Sequence, residues 1–406
     1  MPPIADQKPR DAVIRGAAGI FWNPRAKAND GRGKPLPNGR QPQGCHSERS
    51  EESRRYPVAS VFAANATGKG LNMSTVRIGL IGAGYIGAVH ARALGALKDA
   101  TLAAVADPQQ DRARTLAAPA GGNAYADYRE MIAREKLDAV IVATPDNAHR
   151  DACIDAAKAG LHIFVEKPLA TSLADCDAIA AAAGDSRVRL LVGHTLRWEP
   201  RYALAQEAIR RGDIGTVSYV YARRNNIRAV ARRAGGYTNV ARFLAVHDID
   251  WIQWSLGERA SRVFARTSSR VLSDLNTPDA YVIVLRFPSG VLACVEAAWI
   301  LPDDGSAAND FQAEALGSEG ALYISVQDQG LRIDRRGGLK FPDIMYAPVV
   351  HDQTRGVYVE EHRHFLDVVR GGASPICTAA EARAAVAVVL AAEESAATGA
   401  EVAVAR

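Results

Sequence analysis

The chain is poor in cysteine and contains no long apolar run. It has five scattered cysteines, which form no C-x-x-C pair. Such spacing favours neither a disulfide framework nor a zinc cluster, so we expect no metal site and a reducing compartment, the cytoplasm. No apolar run approaches the roughly 18 residues that a membrane-spanning helix needs, so we expect no membrane partner.

An excess of positive charge is also absent once the N-terminal segment is set aside. The whole chain carries a net charge of +4, but residues 1–72 alone carry +6, with 12 Lys and Arg against 6 Asp and Glu. The rest of the chain therefore carries −2. We expect no nucleic-acid partner, because binding to phosphates needs a basic surface.

The N-terminal segment, residues 1–72, does not have the composition of a folded core. It contains eight of the 19 prolines, and its apolar residues follow neither a helical nor a strand period. Such a segment cannot bury enough apolar surface to offset the entropy lost on ordering, so we expect a disordered or wrongly assigned leader and a true start at Met73. An export signal around Arg54-Arg55 is the weaker alternative, because the apolar stretch after it is short and broken.

From Thr75 onward, short apolar runs alternate with amphipathic stretches. The predicted strands are Val76–Ile81, Leu102–Ala106, Ala139–Ala143, His162–Val165 and Leu190–Val192. The predicted helices between them are Ile86–Ala96, Asp127–Glu135, Ala148–Ala159 and Ala174–Ala183. Apolar strands that alternate with helices predict an α/β domain with a doubly wound parallel sheet of the Rossmann type, over residues 73–195.

The pattern changes after about Tyr202. Longer strands with two-residue alternation follow, at Val217–Arg223, Ala280–Phe287 and Val291–Trp299. Pro288-Ser289-Gly290 predicts a hairpin turn between the last two. We therefore expect residues 196–406 to form an α+β domain for substrate binding and oligomerisation, with a large, open, mostly antiparallel sheet. The alanine-rich stretch Ala379–Ala397 predicts a C-terminal helix that packs back on the body.

A glycine-rich turn follows the first predicted strand. Gly82, Gly84 and Gly87 form a G-x-G-x-x-G motif between that strand and a helix. Gly82 permits the tight turn, Gly84 lets the backbone approach a pyrophosphate, and Gly87 lets the helix pack closely on the strand. Asp107 stands at the end of the second predicted strand, where a carboxylate would bind ribose hydroxyls and repel a 2′-phosphate. A dinucleotide site is therefore predicted, with NAD favoured over NADP, although the nearby Arg112 keeps NADP open.

Three further polar motifs fall at the predicted carboxyl ends of later strands, the edge at which open parallel sheets bind ligands. They are Thr144-Pro145-Asp146-Asn147-Ala148-His149, Glu166-Lys167-Pro168 and Gly193-His194-Thr195-Leu196-Arg197. Each alone has a structural interpretation, in which the prolines make turns, Asp146 and Asn147 cap a helix and Lys167 is a surface cation. Together with the glycine turn, they indicate a ligand-binding edge.

In this order, the motifs resemble those of the Gfo/Idh/MocA oxidoreductase family, named for glucose–fructose oxidoreductase and inositol dehydrogenase. The resemblance runs from about Val76 to Val404 and includes Val246-His247-Asp248-Ile249-Asp250 in the second half. It implies an NAD(P)-dependent enzyme that transfers a hydride between nicotinamide and a carbinol carbon of a sugar, polyol or related carbohydrate. Two alternatives stay open, namely an NAD-retaining glycosidase of the same fold and a catalytically weak NAD-binding protein.

The resemblance also implies roles for individual residues. Lys167 and His247 are the implied catalytic pair at the hydroxyl, and Glu166 is implied to lie near the nicotinamide ribose. The implied cofactor-binding residues are Gly82, Gly84, Tyr85, Ile86, Gly87, Asp107, Thr144, Pro145, His149, Glu166, Lys167 and Arg197. The candidates for substrate contact are Lys167, Arg224, Asn226 and His247. Polar residues on a strand such as Tyr219–Asn226 are also typical of a solvated face.

One position departs from the family pattern. Family members commonly place an aspartate four residues before the histidine, one helical turn away, and here that residue is Phe243. A carboxylate that orients His247 or contacts substrate is therefore absent or comes from elsewhere. Asp250 is expected on the same helical face, whereas Asp248 is expected to point away. This departure motivates the catalytically weak alternative.

The second half also shows an apolar surface without obvious cover. The alternation in Val291–Trp299 leaves apolar groups on both faces of the strand. Exposed apolar sheet surface usually marks an interface. Together with the family resemblance, this pattern predicts a homodimer or homotetramer formed through the C-terminal sheet.

Overall fold

The computed structural model describes residues 75–234, 237–275, 277–305, 309–327, 329–336 and 338–406. The predicted leader, residues 1–72, lies outside these residues. Helices and strands are numbered in chain order, and those of the first half are β1 (Val76–Ile81), α1 (Tyr85–Gly95), β2 (Ala100–Ala106), α2 (Gln110–Ala117), β3 (Asn123–Tyr125), α3 (Tyr128–Arg134), β4 (Ala139–Val142), α4 (His149–Lys158), β5 (His162–Glu166), α5 (Leu173–Asp185) and β6 (Leu190–Gly193). No helix in the described residues combines the length and apolar character needed to cross a membrane.

The first six strands form one parallel sheet with the order β3-β2-β1-β4-β5-β6. Every residue of β4 and β6 is buried. Because successive side chains of a strand point to opposite faces, complete burial means that both faces of the sheet are covered. The prediction of a doubly wound parallel sheet is confirmed.

Two elements of this half were not predicted. Strand β3 has only three residues and is not fully buried, so it has no apolar run. Helix α2 has the sequence QDRARTLA, in which only Ala113 and Ala117 are buried. Neither element has the apolar periodicity on which sequence-based assignment depends.

The second half continues the numbering from α6 to β17. Its helices and strands are α6 (Pro200–Arg211), β7 (Val217–Ile227), α7 (Arg228–Ala234), α8 (Val246–Leu256), β8 (Arg262–Ser268), β9 (Ala280–Arg286), β10 (Leu292–Leu301), β11 (Asn309–Gly317), β12 (Ala321–Ser325), β13 (Ile333–Arg335), β14 (Gly338–Lys340), β15 (Val349–Val350), β16 (Gln353–Thr354), α9 (Val357–Val369), α10 (Ala379–Thr398) and β17 (Val402–Ala403). A π-helical turn, Ala241–Ala245, leads directly into α8.

Seven of these strands form a second sheet with the order β12-β11-β7-β10-β9-β8-β17. Strands β7 and β10 are parallel, and the other neighbours are antiparallel. In β9 the burial alternates residue by residue, because one face of the sheet packs on a core and the other does not. The prediction of a large, mostly antiparallel sheet is confirmed.

Each sheet has its own apolar core, and the long C-terminal helix α10 packs against both. Phe365 and Leu366 of α9 belong to the core of the first sheet. Helix α10 contributes Val386 to that core and Val388 to the core of the second sheet. Helix α10 therefore joins the two cores. The carboxyl edge of the first sheet lies close to the π-helical turn, where Lys167 contacts Phe243.

Candidate active site

The glycine turn between β1 and α1 has the geometry that its sequence predicts. Gly82 has φ +102°, and a Cβ there would lie 2.6 Å from the carbonyl oxygen of Ala143. A Cβ on Gly87 would lie 2.1 Å from the carbonyl oxygen of Gly82. A Cβ on Gly84 would meet nothing within 4 Å, and no side chain caps the N-terminus of α1. The N–H groups at this end of α1 are therefore accessible to an anion.

Asp107 lies beside this turn at the end of β2. Its two carboxylate oxygens accept hydrogen bonds of 2.8 Å from the backbone N–H groups of Ala83 and Gln109. Each oxygen keeps a further lone pair that can accept a ribose hydroxyl. The open face at Gly84 and the carboxylate of Asp107 together fit the pyrophosphate and the adenosine ribose of NAD.

Two more of the predicted cofactor residues lie in the first turn of α1. Tyr85 is 66% exposed, and the guanidinium of Arg233, from α7, lies 4.5 Å from the centre of its ring. Ile86 is partly buried against the core of the first sheet. A side chain from the second half of the chain therefore reaches the glycine turn.

His149 connects the loop after β4 to the loop after β5. Its Nε2 lies 3.1 Å from the carbonyl oxygen of Thr144, and its Nδ1 lies 2.9 Å from that of Pro168. The ring is 1% exposed, and burial lowers its pKa. Pro145 directly precedes the 3₁₀ turn Asp146–Ala148. The structural contacts of His149 and Pro145 therefore shape this edge, and their contact with cofactor stays a prediction.

Glu166, the last residue of β5, is held by a chain of two histidines that the sequence motifs did not reveal. His90 Nε2 lies 3.0 Å from Glu166 Oε1, and His90 Nδ1 lies 2.9 Å from His362 Nε2. Burial alone would raise the pKa of Glu166, but the hydrogen bond from His90 and the nearby positive charges lower it below the usual value. Glu166 is therefore an oriented carboxylate at the edge where the nicotinamide ribose is predicted.

Lys167 reaches from the end of β5 to the π-helical turn. Its ammonium donates a hydrogen bond of 2.9 Å to the carbonyl oxygen of Phe243 and lies 4.5 Å from the centre of the Phe243 ring. Burial lowers the pKa of Lys167, while the charges of Glu166 and Asp146 act to raise it. Phe243, the position that departs from the family pattern, thus contacts the predicted catalytic lysine through its backbone and its ring.

His247 lies in the first turn of α8, near Lys167. Burial lowers its pKa well below the usual value, and the positive charges of Lys167 and Arg224 lower it further. Within the described part of the chain, its buried Nδ1 has no hydrogen-bond partner. His247 therefore lies near enough to Lys167, at the carboxyl edge of the first sheet, for the lysine charge to lower the pKa of its imidazole.

Neither aspartate on α8 orients His247. Asp248 forms a two-pronged ion pair with Arg224, with N–O distances of 2.7 and 2.9 Å. Asp250 forms a similar pair with Arg197, with distances of 2.7 and 3.0 Å. Both oxygens of Asp250, the aspartate expected on the same helical face as His247, are therefore engaged by Arg197.

The remaining predicted residues are engaged by protein groups. Arg224 is only 3% exposed, so the solvated-face interpretation of β7 is wrong at this position. Arg197 also donates to the carbonyl oxygen of Ile376 and to Glu381. Asn226 accepts a hydrogen bond from the backbone N–H of Ile227. Their contacts with cofactor or substrate stay predictions.

One buried group has the ligand types of a metal site. Atoms of His194, Asp250 and Cys377 lie within 4.8 Å of one another. The guanidinium of Arg197 already occupies both oxygens of Asp250, and burial raises the pKa of the Cys377 thiol well above its usual value. A cation would therefore face a positive guanidinium and a neutral thiol, which does not favour metal binding.

Comparisons with known proteins decide the family. An oxidoreductase family model with an NAD-binding Rossmann fold matches residues 76–194, and the GFO/IDH/MocA C-terminal domain matches residues 202–323. The chain belongs to the Gfo/Idh/MocA oxidoreductase family. The predicted resemblance is confirmed, and with it an NAD-dependent oxidoreductase that acts on CH–OH groups.

Individual relatives of this family member align with most of the chain. Myo-inositol 2-dehydrogenase of Thermotoga maritima is 30% identical over 329 residues, which are 79% of this chain and 96% of the relative. The NAD(+)-dependent scyllo-inositol 2-dehydrogenase of Bacillus subtilis is 30% identical over 75% of this chain and 89% of its own length. The crystal structure of GenD2 from gentamicin A biosynthesis, in complex with NAD, is 25% identical, with a TM-score of 0.70 over 84% of this chain and 100% of that one.

Proposed function

We propose that the enzyme oxidises a secondary alcohol of a cyclic polyol or sugar, with Lys167 and His247 acting at the reacting hydroxyl. The observation that carries this proposal is the hydrogen bond from the Lys167 ammonium to the carbonyl oxygen of Phe243, four residues before His247, at the carboxyl edge of the first sheet. The relatives that act on inositols support the substrate class.

The proton is the part of this reaction that the protein must handle. Oxidation of a carbinol removes a hydride and a proton, and NAD, when bound, accepts the hydride. His247 is neutral because burial and nearby cations depress its pKa, so its ring can accept the proton of the hydroxyl. The ammonium of Lys167 uses one of its three N–H groups on Phe243, which leaves two that can stabilise developing alkoxide character.

Two features keep the lysine in place without the aspartate that is common in the family. The carbonyl oxygen of Phe243 accepts from the ammonium, and the Phe243 ring lies against it. A cation on an aromatic face is stabilised without neutralisation of its charge. The contacts with Phe243 therefore orient Lys167, which argues against the catalytically weak alternative.

Substitution of the two residues tests this mechanism. We expect Lys167→Ala and His247→Ala each to lower kcat by roughly 10²-fold or more, the scale of a positioned acid–base group. The Kd for NADH should change little, because the glycine turn and Asp107 lie elsewhere. The double variant should lose little more than either single one, because groups that act as a unit are not additive. Lys158→Ala, an exposed lysine on α4, is the control.

The outcome also separates the alternatives. Appearance of reduced cofactor with an inositol or sugar panel supports the dehydrogenase. Cleavage of a glycoside with no net NADH would indicate the NAD-retaining glycosidase, and NAD binding without any turnover would indicate the binding protein. If His247→Ala keeps near-normal kcat while Lys167→Ala abolishes it, Lys167 alone carries the proton and His247 is structural.

We also infer that two or more copies associate through the uncovered face of the second sheet. This face presents large apolar side chains that are 39–48% exposed, namely Val282, Val284 and Leu292. In the register of the sheet, Val284 lies between Cys294 of β10 and the exposed Phe264 of β8, so apolar groups of three neighbouring strands form a row on this face. Such a surface on a sheet is stabilised when a second copy covers it.

A further inference from the structure

Among the residues that the structure describes, the buried carboxylate of Asp146 has no hydrogen-bond partner. The residue is 6% exposed, and neither Oδ1 nor Oδ2 accepts a hydrogen bond. Buried carboxylates in proteins are normally paired or hydrogen-bonded, because their desolvation is costly. An unpaired carboxylate at the ligand-binding edge of a sheet therefore indicates that a hydrogen-bond donor of the ligand binds there.

The other carboxylates around Lys167 and His247 are already engaged. Glu166 accepts from His90 and from the backbone N–H of Lys167. Asp248 is paired with Arg224, and Asp250 is paired with Arg197. Of these four acidic side chains, Asp146 alone has both oxygens available.

The loop that carries Asp146 is fixed by hydrogen bonds. It is the first residue of the 3₁₀ turn that follows β4, and the two contacts of His149 fasten this loop to the backbone of Thr144 and Pro168. The hydroxyl of Thr144 is also buried without a partner. The loop therefore presents three unpartnered oxygen atoms next to the glycine turn, whose Gly82 packs on the backbone of Ala143 and Thr144.

Groups from both halves of the chain face this carboxylate. Its charge acts to raise the pKa of Lys167 and of His149. It also acts to raise the pKa of Tyr237 and of Arg242, in the segment before α8. None of them bonds to it, and Arg242 is paired with Glu393. Asp146 therefore has positive side chains nearby but no donor in contact.

We propose that Asp146 binds a hydroxyl of the substrate, adjacent to the hydroxyl held by Lys167 and His247. This inference rests on the proposed function. Phe243 offers no hydrogen-bonding side chain at this site, so Asp146 supplies the available carboxylate. A hydroxyl of the nicotinamide ribose has the same chemistry, but Glu166 is already oriented at that part of the edge. We therefore assign the substrate polyol to Asp146.

Asp146→Asn is the main test, because it keeps the size of the side chain and removes the charge. We expect KM for the polyol to rise about 10- to 100-fold, the range for a lost hydrogen bond to a charged group, while the Kd for NADH stays within about twofold. Thermal stability should rise, because an unpaired buried charge is removed. Asp151→Asn, an exposed aspartate on α4, should change neither quantity.

Mono-deoxy analogues of the substrate make the test specific. The wild type should bind one of these analogues more weakly than the intact polyol, by the same factor by which Asp146→Asn weakens binding of the intact polyol. The variant should bind that analogue and the intact polyol equally well. Asp146→Ala should repeat the result, and if it fails to fold, the isosteric variant still decides.

Three outcomes would overturn the inference. If Asp146→Asn has an unchanged KM and a raised stability, Asp146 is an unpaired charge that destabilises the loop and does not bind substrate. If the Kd for NADH rises as much as KM, the hydroxyl that Asp146 binds belongs to the cofactor. A wild type that oxidises no polyol refutes the proposed function and this inference together, whereas an active wild type with an unaffected Asp146→Asn variant refutes this inference alone.

Discussion

The substitution Gly84→Ala should separate cofactor binding from folding. Gly84 has φ −77° and ψ −166°, a conformation that alanine adopts, and a new Cβ there would meet no atom within 4 Å. The folded protein should therefore be as stable as the wild type, or more stable by about 0.4–1 kcal/mol because the unfolded chain loses freedom. The same methyl group would stand where the backbone must approach the pyrophosphate, so NADH should bind about 10- to 100-fold more weakly.

The neighbouring glycine provides the matched comparison. In Gly87→Ala the new Cβ would lie 2.1 Å from the carbonyl oxygen of Gly82, so α1 must move away from β1. Such overpacking costs about 1–3 kcal/mol. Thermal unfolding and NADH titration of both variants check the argument. If Gly84→Ala binds NADH like the wild type, the pyrophosphate does not lie at this turn, and if it unfolds like Gly87→Ala, the space at Gly84 is not open.

Three further predictions concern other parts of the molecule. Asp107→Ser should shift the ratio of kcat/KM for NAD over NADP toward NADP, because it removes the charge that faces a 2′-phosphate; an unchanged ratio would make Asp107 a turn residue only. Burial raises the pKa of Glu361 well above its usual value. As the pH rises above the usual value, the unfolded state therefore releases a proton that the folded state still holds. Glu361→Gln should therefore unfold at a higher temperature than the wild type, and the gain should grow as the pH rises above 4.5, the usual pKa of the carboxyl, by at most about 1.4 kcal/mol per pH unit. Val284→Lys combined with Leu292→Lys should convert an oligomer to monomers in light scattering, and a wild type that is already monomeric at micromolar concentration contradicts the predicted interface.

Much of the fold could be predicted because its signals are local. The apolar run of β4 and the alternation in β9 are visible in the sequence, and each matches an observed strand. Strand β3 and helix α2 could not be predicted, because β3 is short and α2 is polar, so that packing against neighbours decides their conformation. The parallel pairing of β7 with β10 was also beyond the sequence, since α7, α8, β8 and β9 all lie between these two strands along the chain.

The candidate site was likewise only partly predictable from the sequence. The motifs around Gly82, Glu166 and His149 lie at strand ends, and a pattern of strands alone predicts that they share one edge. Their partners do not follow from any pattern. His90 and His362, which contact each other, are 272 positions apart.

By itself, the sequence determined the glycine turn, the order of strands and helices and the family, because each depends on short stretches whose backbone geometry and apolar period are set locally. Only the tertiary structure decided which charges are paired. Arg197 meets Asp250 across 53 positions and Lys167 meets Phe243 across 76, whereas the carboxylate of Asp146 has no hydrogen-bond partner among the described residues. The physical reason is that pairing between distant side chains depends on how helices and sheets pack, and burial then sets the energetic consequence of each paired or unpaired charge.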